Sequence, residues 1–404
     1  MPSTPPEGQP APPDGRLPAA ALAGLGERGF SIYVHVPFCA SRCGYCDFNT
    51  YTAAELGAAP GARQRDYLAA VNAELDLAAK VLGVPPRVQS IFFGGGTPTV
   101  LPAADLAGLL TAITGRFDLS PGAEITTEAN PESVDGEYLE VLAGAGFNRL
   151  SLGMQSARTN VLALLERQHT PGRVAEVVAQ ARAAGFGSIS LDLIYGTPGE
   201  AEDDWRASLE SVIAMAPEHV SAYSLTIEDG TRLAARVSRG ELPGIDPDEQ
   251  ADRYQLAEEL LTSAGYANYE TSNWARPGHE CRHNLAYWHN DDWWGAGPGA
   301  HSHVGGVRWW NVRHPRTYAA RLGQGESPAE AREILEPDER HVERVMLALR
   351  LAEGLPLDEL SADERQRAAA KVADGVAEFR DDRLVLTATG RLLADHVIRG
   401  VLGY

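Results

Sequence analysis

His35-Val36-Pro37-Phe38-Cys39-Ala40-Ser41-Arg42-Cys43-Gly44-Tyr45-Cys46-Asp47-Phe48 carries three of the four cysteines of the chain on one short loop. Just ahead of it, Phe30, Ile32, Val34 and Val36 recur at period two, which predicts a strand running into Pro37. Three thiolates on a tight loop reach three corners of a cubane iron–sulfur cluster and leave the fourth iron without a protein ligand. An open iron takes an exchangeable molecule, much as an open zinc position takes water. Structural zinc is the bland alternative. It wants four ligands, usually from paired C-x₂₋₄-C knuckles, and the sequence offers no second knuckle. Cys281 stands far along the chain and reads as a spare thiol; its surroundings are not the C-x-x-C-H of covalent heme attachment.

Outward from this loop, strand and helix patterns alternate. Apolar, β-branched runs at 88–93, 123–128, 149–154, 188–195 and 220–227 read as strands. Amphipathic stretches at 63–82, 102–114, 173–184, 202–215 and 249–264 read as helices, as does one sharing Val134, Tyr138, Val141 and Leu142 on a face. A succession of βα units predicts an α/β fold with a parallel sheet, an open or closed (β/α) barrel of residues 29–272. Chemistry in that architecture gathers on the loops after the strands. Several residues sit there: Gly94-Gly95-Gly96-Thr97 after the second strand, Glu128 after the third, Gln155 after the fourth, with Arg167 beyond it, and Asp192 in the fifth. A glycine turn lets backbone approach a ligand closely. Carboxylates accept from hydroxyls, and arginine pairs with a carboxylate, so the set suits a zwitterion bearing a ribose.

Three other segments depart from the pattern. Residues 1–28 are rich in proline, alanine and glycine and read as a disordered arm without the basic start of a secretion signal. Residues 273–334, rich in Trp, His, Gly and Asn, read as loops crossing the barrel mouth and a connector. Residues 335–404 read as a small α+β appendage of winged-helix size, with a helix near 342–351, a strand at 383–386 and a helix at 389–397. The 404 residues include 35 Lys+Arg against 55 Asp+Glu, a formal charge of -20. Neither that balance nor any basic cluster suits nucleic acid. The sequence has no apolar run long enough to span a bilayer. A reducing, cytoplasmic location follows, with cysteines as ligands rather than disulfides.

The C-x₃-C-x₂-C spacing followed by GGGTP resembles the radical S-adenosylmethionine (SAM) superfamily. In those proteins the open iron binds the amino and carboxylate groups of SAM, and an electron from a 4Fe-4S cluster splits the sulfonium to a 5′-deoxyadenosyl radical. The wider context YVHVPFC, GGGTPT, NRLSLGMQS and DLIYGTPGE is similar to the oxygen-independent coproporphyrinogen oxidase family, from about Phe30 to the C-terminus. The resemblance implies that Cys39, Cys43 and Cys46 hold the cluster. It places Gly95, Gly96 and Thr97 at the methionyl amino group, and Tyr45, Glu128, Gln155, Arg167 and Asp192 among the SAM contacts. Tyr33 matches a tyrosine close to the sulfonium.

Phe48 is the informative departure, because the oxidases carry a further cysteine there. Their basic, structured N-terminal extension is replaced by the proline-rich arm. Both differences point away from decarboxylation and toward the heme chaperone (HemW-type) branch, whose second signature, H-N-x-x-Y-W, stands at His283–Trp288. That resemblance implies heme as cargo, a heme-acceptor protein, and an electron donor for the cluster. Imidazole is a common axial ligand to heme iron, so His283 is the candidate, with His301 in the glycine-rich stretch 295–303 as a second. The charge disfavours spontaneous adsorption to anionic lipid and leaves peripheral recruitment by a membrane protein open.

Overall fold

In the computed structural model, which describes residues 8–57, 62–167 and 169–404, seven parallel strands form the middle of a thirteen-stranded open sheet. They are β1 (Phe30–Val36), β2 (Val88–Gly95), β3 (Leu119–Ala129), β4 (Arg149–Gln155), β5 (Ser188–Tyr195), β6 (His219–Ser224) and β7 (Asp292–Ala296). Their order is β7-β1-β2-β3-β4-β5-β6, so β1 to β6 follow the chain. The helices between them are α1 (Ala62–Leu82), α2 (Ala103–Thr114), α3 (Gly136–Ala145), α4 (Arg173–Ala184) and α5 (Glu202–Met215), with α6 (Pro247–Ser263) after β6. This is the α/β, parallel-strand arrangement that the alternation predicts.

Local chemistry sets the helix limits. Asp246 accepts from the N–H groups of Asp248 and Glu249, and Pro247 occupies the first turn, where no N–H is needed. Asp135 caps α3 through Tyr138 N at 2.9 Å, and Gly146 ends it at a φ of 113°. The helix therefore begins after Val134, which is buried ahead of the cap, while Val141 points outward at 46% exposure. Leu139 and Leu142 form its inner face instead. Leu75, Ile91, Leu106, Leu150, Leu191 and Trp205, all fully buried, belong to the one large core that joins helices and sheet.

The flanks of the sheet correct two expectations. Residues 273–334 are mostly regular structure rather than mouth loops. Asn273–Ala275 pairs antiparallel with β6, and β7 lies parallel beside β1. His301–Val304, Val307–Asn311 and Ala329–Ile334 continue as an antiparallel meander. Tryptophans stand there in adjacent pairs, Trp293-Trp294 and Trp309-Trp310, so the strands are buried on both faces and show no period-two alternation. The arm is not disordered over its described part either. Gln9–Pro10 pairs with Ala331 and Arg332, and a short helix, Ala19–Ala23, follows. Ala21 is buried and Leu17, Leu22 and Leu25 pack on the core. Proline is tolerated on an edge strand, so its abundance did not forbid pairing. Residues 1–7 lie outside the described residues.

The C-terminal residues have a core of their own, including Val345, Leu355, Leu384, Val397 and Val401. A three-stranded antiparallel sheet, Leu355–Pro356, Arg383–Leu386 and Ala377–Arg380, packs with helices Pro337–Ala348, Ala362–Ala373 and Ala394–Leu402. The single helix expected at 389–397 is two, broken at Leu393. Arg391 ties this unit to α6 through Glu258 at 2.9 Å and to the sheet edge through Asn268 at 3.0 Å. Among the described residues no helix is long and apolar enough to cross a membrane.

Candidate functional site

A cavity of about 710 Å³ opens where β1 to β6 end, walled on its outer side by the cysteine loop. The loop is held by its own ends. Phe38–Cys39 and Tyr51–Thr52 pair in parallel, and Asn49 reaches across to the carbonyls of Pro298 and Arg313 at 3.0 and 2.9 Å. Gly96 N donates to Val36 O at 2.8 Å and Thr97 N to Phe38 O at 2.8 Å, so the glycine turn is stitched to the loop. A Cβ on Gly96 would lie 2.5 Å from Phe38 O and 3.0 Å from Cys39 Sγ. Only glycine lets the two loops meet.

Cys39, Cys43 and Cys46 are half-buried and all line the cavity. Burial pushes the Cys46 thiol up to about 11 and raises Cys39, each reinforced by the neighbouring cysteines. Without a metal these thiols keep their protons; iron would displace them. Among the described residues no three His, Cys, Asp or Glu groups converge on a point suited to one metal ion. A cubane takes its thiolates at separate corners, which suits three cysteines spread along one loop. Arg167 lies against the loop, donating from Nη1 to Cys43 Sγ at 3.5 Å and from Nη2 to Gly153 O at 3.0 Å. Its buried Nε has no partner. An arginine aimed along the rim with a spare donor fits a ligand carboxylate.

The inner wall brings together Tyr33, Tyr45, Gly95, Gly96, Thr97, Glu128, Gln155 and Asp192. Glu128 accepts from Gly95 N at 3.0 Å and is pushed up to about 8 by burial and by the Asp192 carboxylate. Asp192 accepts from Ser151 Oγ at 2.8 Å and Ser190 Oγ at 3.0 Å, and burial raises it too. Gln155 takes a left-handed φ of 66°, a conformation that side chains other than glycine adopt at a cost. Tyr45 packs with Val161, Leu165 and Ile194. Three thiols, an unpartnered guanidinium donor and two buried carboxyls around one cavity fit a cluster with a zwitterionic, hydroxyl-bearing ligand.

The floor is built differently. The signature histidine begins a helix, α7 (Arg282–Trp288), that the sequence reading missed. Glu124 supplies the cap that no neighbouring residue provides: it accepts from Arg282 N at 3.1 Å, His283 N at 3.0 Å and Cys281 Sγ at 3.5 Å. His283 is buried, with Nδ1 bonded to Ser90 Oγ and Nε2 to Tyr287 OH, each at 2.9 Å. It stacks on Phe92 at 5.1 Å, and burial lowers it to about 3. Both ring nitrogens are thus engaged inside the protein. Cys281 is no remote thiol; it is buried in the cavity lining, where burial pushes it up to about 12. His301 lies apart from these residues. It pairs with Trp310 in the meander, stacks on that ring at 5.9 Å and does not line the cavity.

His35 was passed over, although it stands two residues from Tyr33 in the motif. Its ring links Tyr33 OH to the Asn49 carbonyl and fills the space where Gly95 lacks a side chain. Arg149, His219 and Tyr223 also line the cavity; Arg149 and His219 open their strands rather than end them, so a reading of strand ends passes them over.

Comparison with known proteins gives a consistent result. A model of the radical SAM superfamily matches residues 33–212, and one of the HemN C-terminal domain matches residues 335–393. The chain is 52% identical over 382 residues to the heme chaperone HemW of Mycobacterium tuberculosis H37Rv, covering 95% of this chain and 97% of that one. It is 36% identical over 340 residues to the heme chaperone HemW of Escherichia coli K12, covering 82% and 85%. Among solved structures, coproporphyrinogen III oxidase (HemN) of Escherichia coli, described as a radical SAM enzyme, matches with a TM-score of 0.80 and 25% identity. That match covers 94% of this chain and 92% of the oxidase.

Proposed function

The chain belongs to the HemW family of the radical SAM superfamily, and from that premise we propose that it is a heme carrier that binds a 4Fe-4S cluster and SAM and passes heme to an acceptor protein. The near end-to-end likeness to heme chaperones, 52% identity across 95% of the chain, carries this reading. In it, Cys39, Cys43 and Cys46 hold the cluster. When bound, such a cluster supplies one electron and an open coordination position. Arg167 meets the ligand carboxylate with its spare Nε; the Gly95–Thr97 turn meets the amino group. Glu128 and Asp192 accept from hydroxyl or ammonium groups, Gln155 bounds the pocket beside them, and Tyr33 and Tyr45 pack on the ligand. A one-electron donor reaches the cluster from the loop side, the setting is cytoplasmic, and any contact with a membrane-bound acceptor is peripheral.

His283 takes the heme iron only after Tyr287 releases Nε2, because both imidazole nitrogens are otherwise bonded. Titrating the purified protein with hemin is expected to give a Soret shift that weakens in His283→Ala. A titration with no shift in the unaltered protein overturns the carrier reading.

The rival is oxidative decarboxylation of coproporphyrinogen III, which the TM-score of 0.80 to the oxidase favours. Phe48 weighs against it: a phenyl ring, 52% exposed, stands at the cavity rim where the oxidase pattern has another cysteine. Anaerobic incubation with reductant, SAM and coproporphyrinogen III decides between the two. The carrier reading expects substrate to return unchanged.

A further inference from the structure

The cavity wall that holds Tyr33 also holds a buried carboxyl, that of Glu128. Glu128 lies close enough to Tyr33 to oppose its ionisation, and among the described residues the only donor to that carboxyl is Gly95 N at 3.0 Å. A ligand with a cationic centre is what such a wall would favour. The orientation of the Tyr33 hydroxyl then matters, since a proton facing the ligand repels a cation and a lone pair attracts it.

His35 settles that orientation. Its Nε2 lies 3.0 Å from the backbone oxygen of Asn49, which can only accept, so Nε2 carries the hydrogen. The ring is buried, and burial lowers its proton affinity and keeps it neutral. Nδ1 is therefore bare and must accept from Tyr33 OH, 3.0 Å away. With its proton committed to His35, the tyrosine oxygen has only lone pairs to offer the cavity it lines. The histidine itself is locked from behind. Tyr67 OH donates to His35 O at 2.8 Å, and a Cβ on Gly95 or Gly297 would strike the His35 ring or its carbonyl at 2.5 and 2.4 Å.

We propose that His35 is a positioning residue which fixes the Tyr33 hydroxyl as a lone-pair donor toward a cationic centre of the bound ligand, so that the site distinguishes a sulfonium from the corresponding neutral thioether. This rests on the SAM reading above and adds a means of charge discrimination to it. The histidine touches no ligand; it acts through the tyrosine and through the backbone that follows the last cluster cysteine.

Affinities for SAM and for S-adenosylhomocysteine, measured anaerobically by equilibrium dialysis on cluster-reconstituted full-length protein, give the test. The readout is the ratio of the two dissociation constants, which does not depend on turnover. In His35→Leu the preference for SAM should fall about fivefold, the scale of losing one ordinary hydrogen bond. His35→Gln should restore it, because the amide oxygen can accept from Tyr33 while the amide N–H donates to Asn49. Tyr33→Phe should fall as far as His35→Leu, and the double variant no further. An unchanged ratio in His35→Leu overturns the proposal, as does a His35→Gln variant that fares no better than leucine. Should His35→Leu fail to retain iron, Tyr33→Phe decides: the wild-type ratio there overturns it. Binding of neither molecule by the unaltered protein is a different result, and it sinks the SAM reading itself.

Discussion

At the rim of the cavity Arg167 keeps a buried Nε without a partner and three thiols stand half-covered, whereas on the floor His283 spends both ring nitrogens and its backbone N–H on Ser90, Tyr287 and Glu124. A buried polar group left unpaired costs free energy that a satisfied one does not. The rim therefore carries groups whose hydrogen bonds await a ligand, and the floor carries groups whose hydrogen bonds are already made, so that His283 serves a ligand only by giving up Tyr287. The same cavity lining contains both, so proximity to the cavity does not by itself mark a ligand contact.

Substitutions that separate iron loading from stability give the sharpest break between the two regions. Changing Cys39, Cys43 or Cys46 to Ser should abolish iron retention and the absorbance near 400 nm after anaerobic reconstitution, with little change in the melting of the metal-free chain. Retained iron in any one of the three would place that cysteine with the floor. Glu124→Ala should do the reverse. It removes the cap of α7 and strands two backbone donors, for a loss of about 2–4 kcal/mol in urea unfolding of the metal-free protein.

Proton linkage at Glu128 supplies a third test. The folded metal-free protein holds that proton up to about 8, while the unfolded chain releases it near 4.5. The native state thus binds more protons across this window, and its stability falls as pH rises through it. A cationic ligand reverses the preference, so affinity for SAM should climb between pH 6 and 8 by up to about tenfold per unit and level off above. Glu128→Gln should flatten both profiles. Smallest of all, Cys281→Ala should leave iron content unchanged and cost about 1 kcal/mol, since its thiol is a buried neutral group beside Glu124. Loss of iron in this variant would move Cys281 from the floor to the rim.

The sequence was most readable where one signal dominated. Apolar, β-branched runs located the six strands β1 to β6, although β3 begins at Leu119 rather than 123 and β6 ends at Ser224 rather than 227, and the spacing Cys39, Cys43, Cys46 marked the loop without help from the rest of the chain. Its failures have physical causes. Strands buried on both faces, such as Asp292–Ala296, show a tryptophan-and-glycine composition in place of a clean alternation. Helix α7 starts without a local capping residue, because its cap comes from Glu124 on β3, far away in sequence. His301 looked like its neighbours in a glycine-rich stretch, and only pairing with Trp310 shows where that stretch runs. The role of His35 depends on two hydrogen bonds, to Tyr33 and Asn49, that spacing alone cannot reveal.

The two-residue strand Gln9–Pro10 closes one end of the sheet against Ala329–Ile334. At the other end, the outer strand gives a carbonyl, that of Tyr269, to Ala352 of the C-terminal unit. An uncapped border of this breadth would invite a strand from a neighbouring molecule to zip on. Proline cannot donate to such an addition. An N-terminal tag or trimming that dislodges this seam should therefore turn a well-behaved preparation into one that self-associates, whatever happens at the metal.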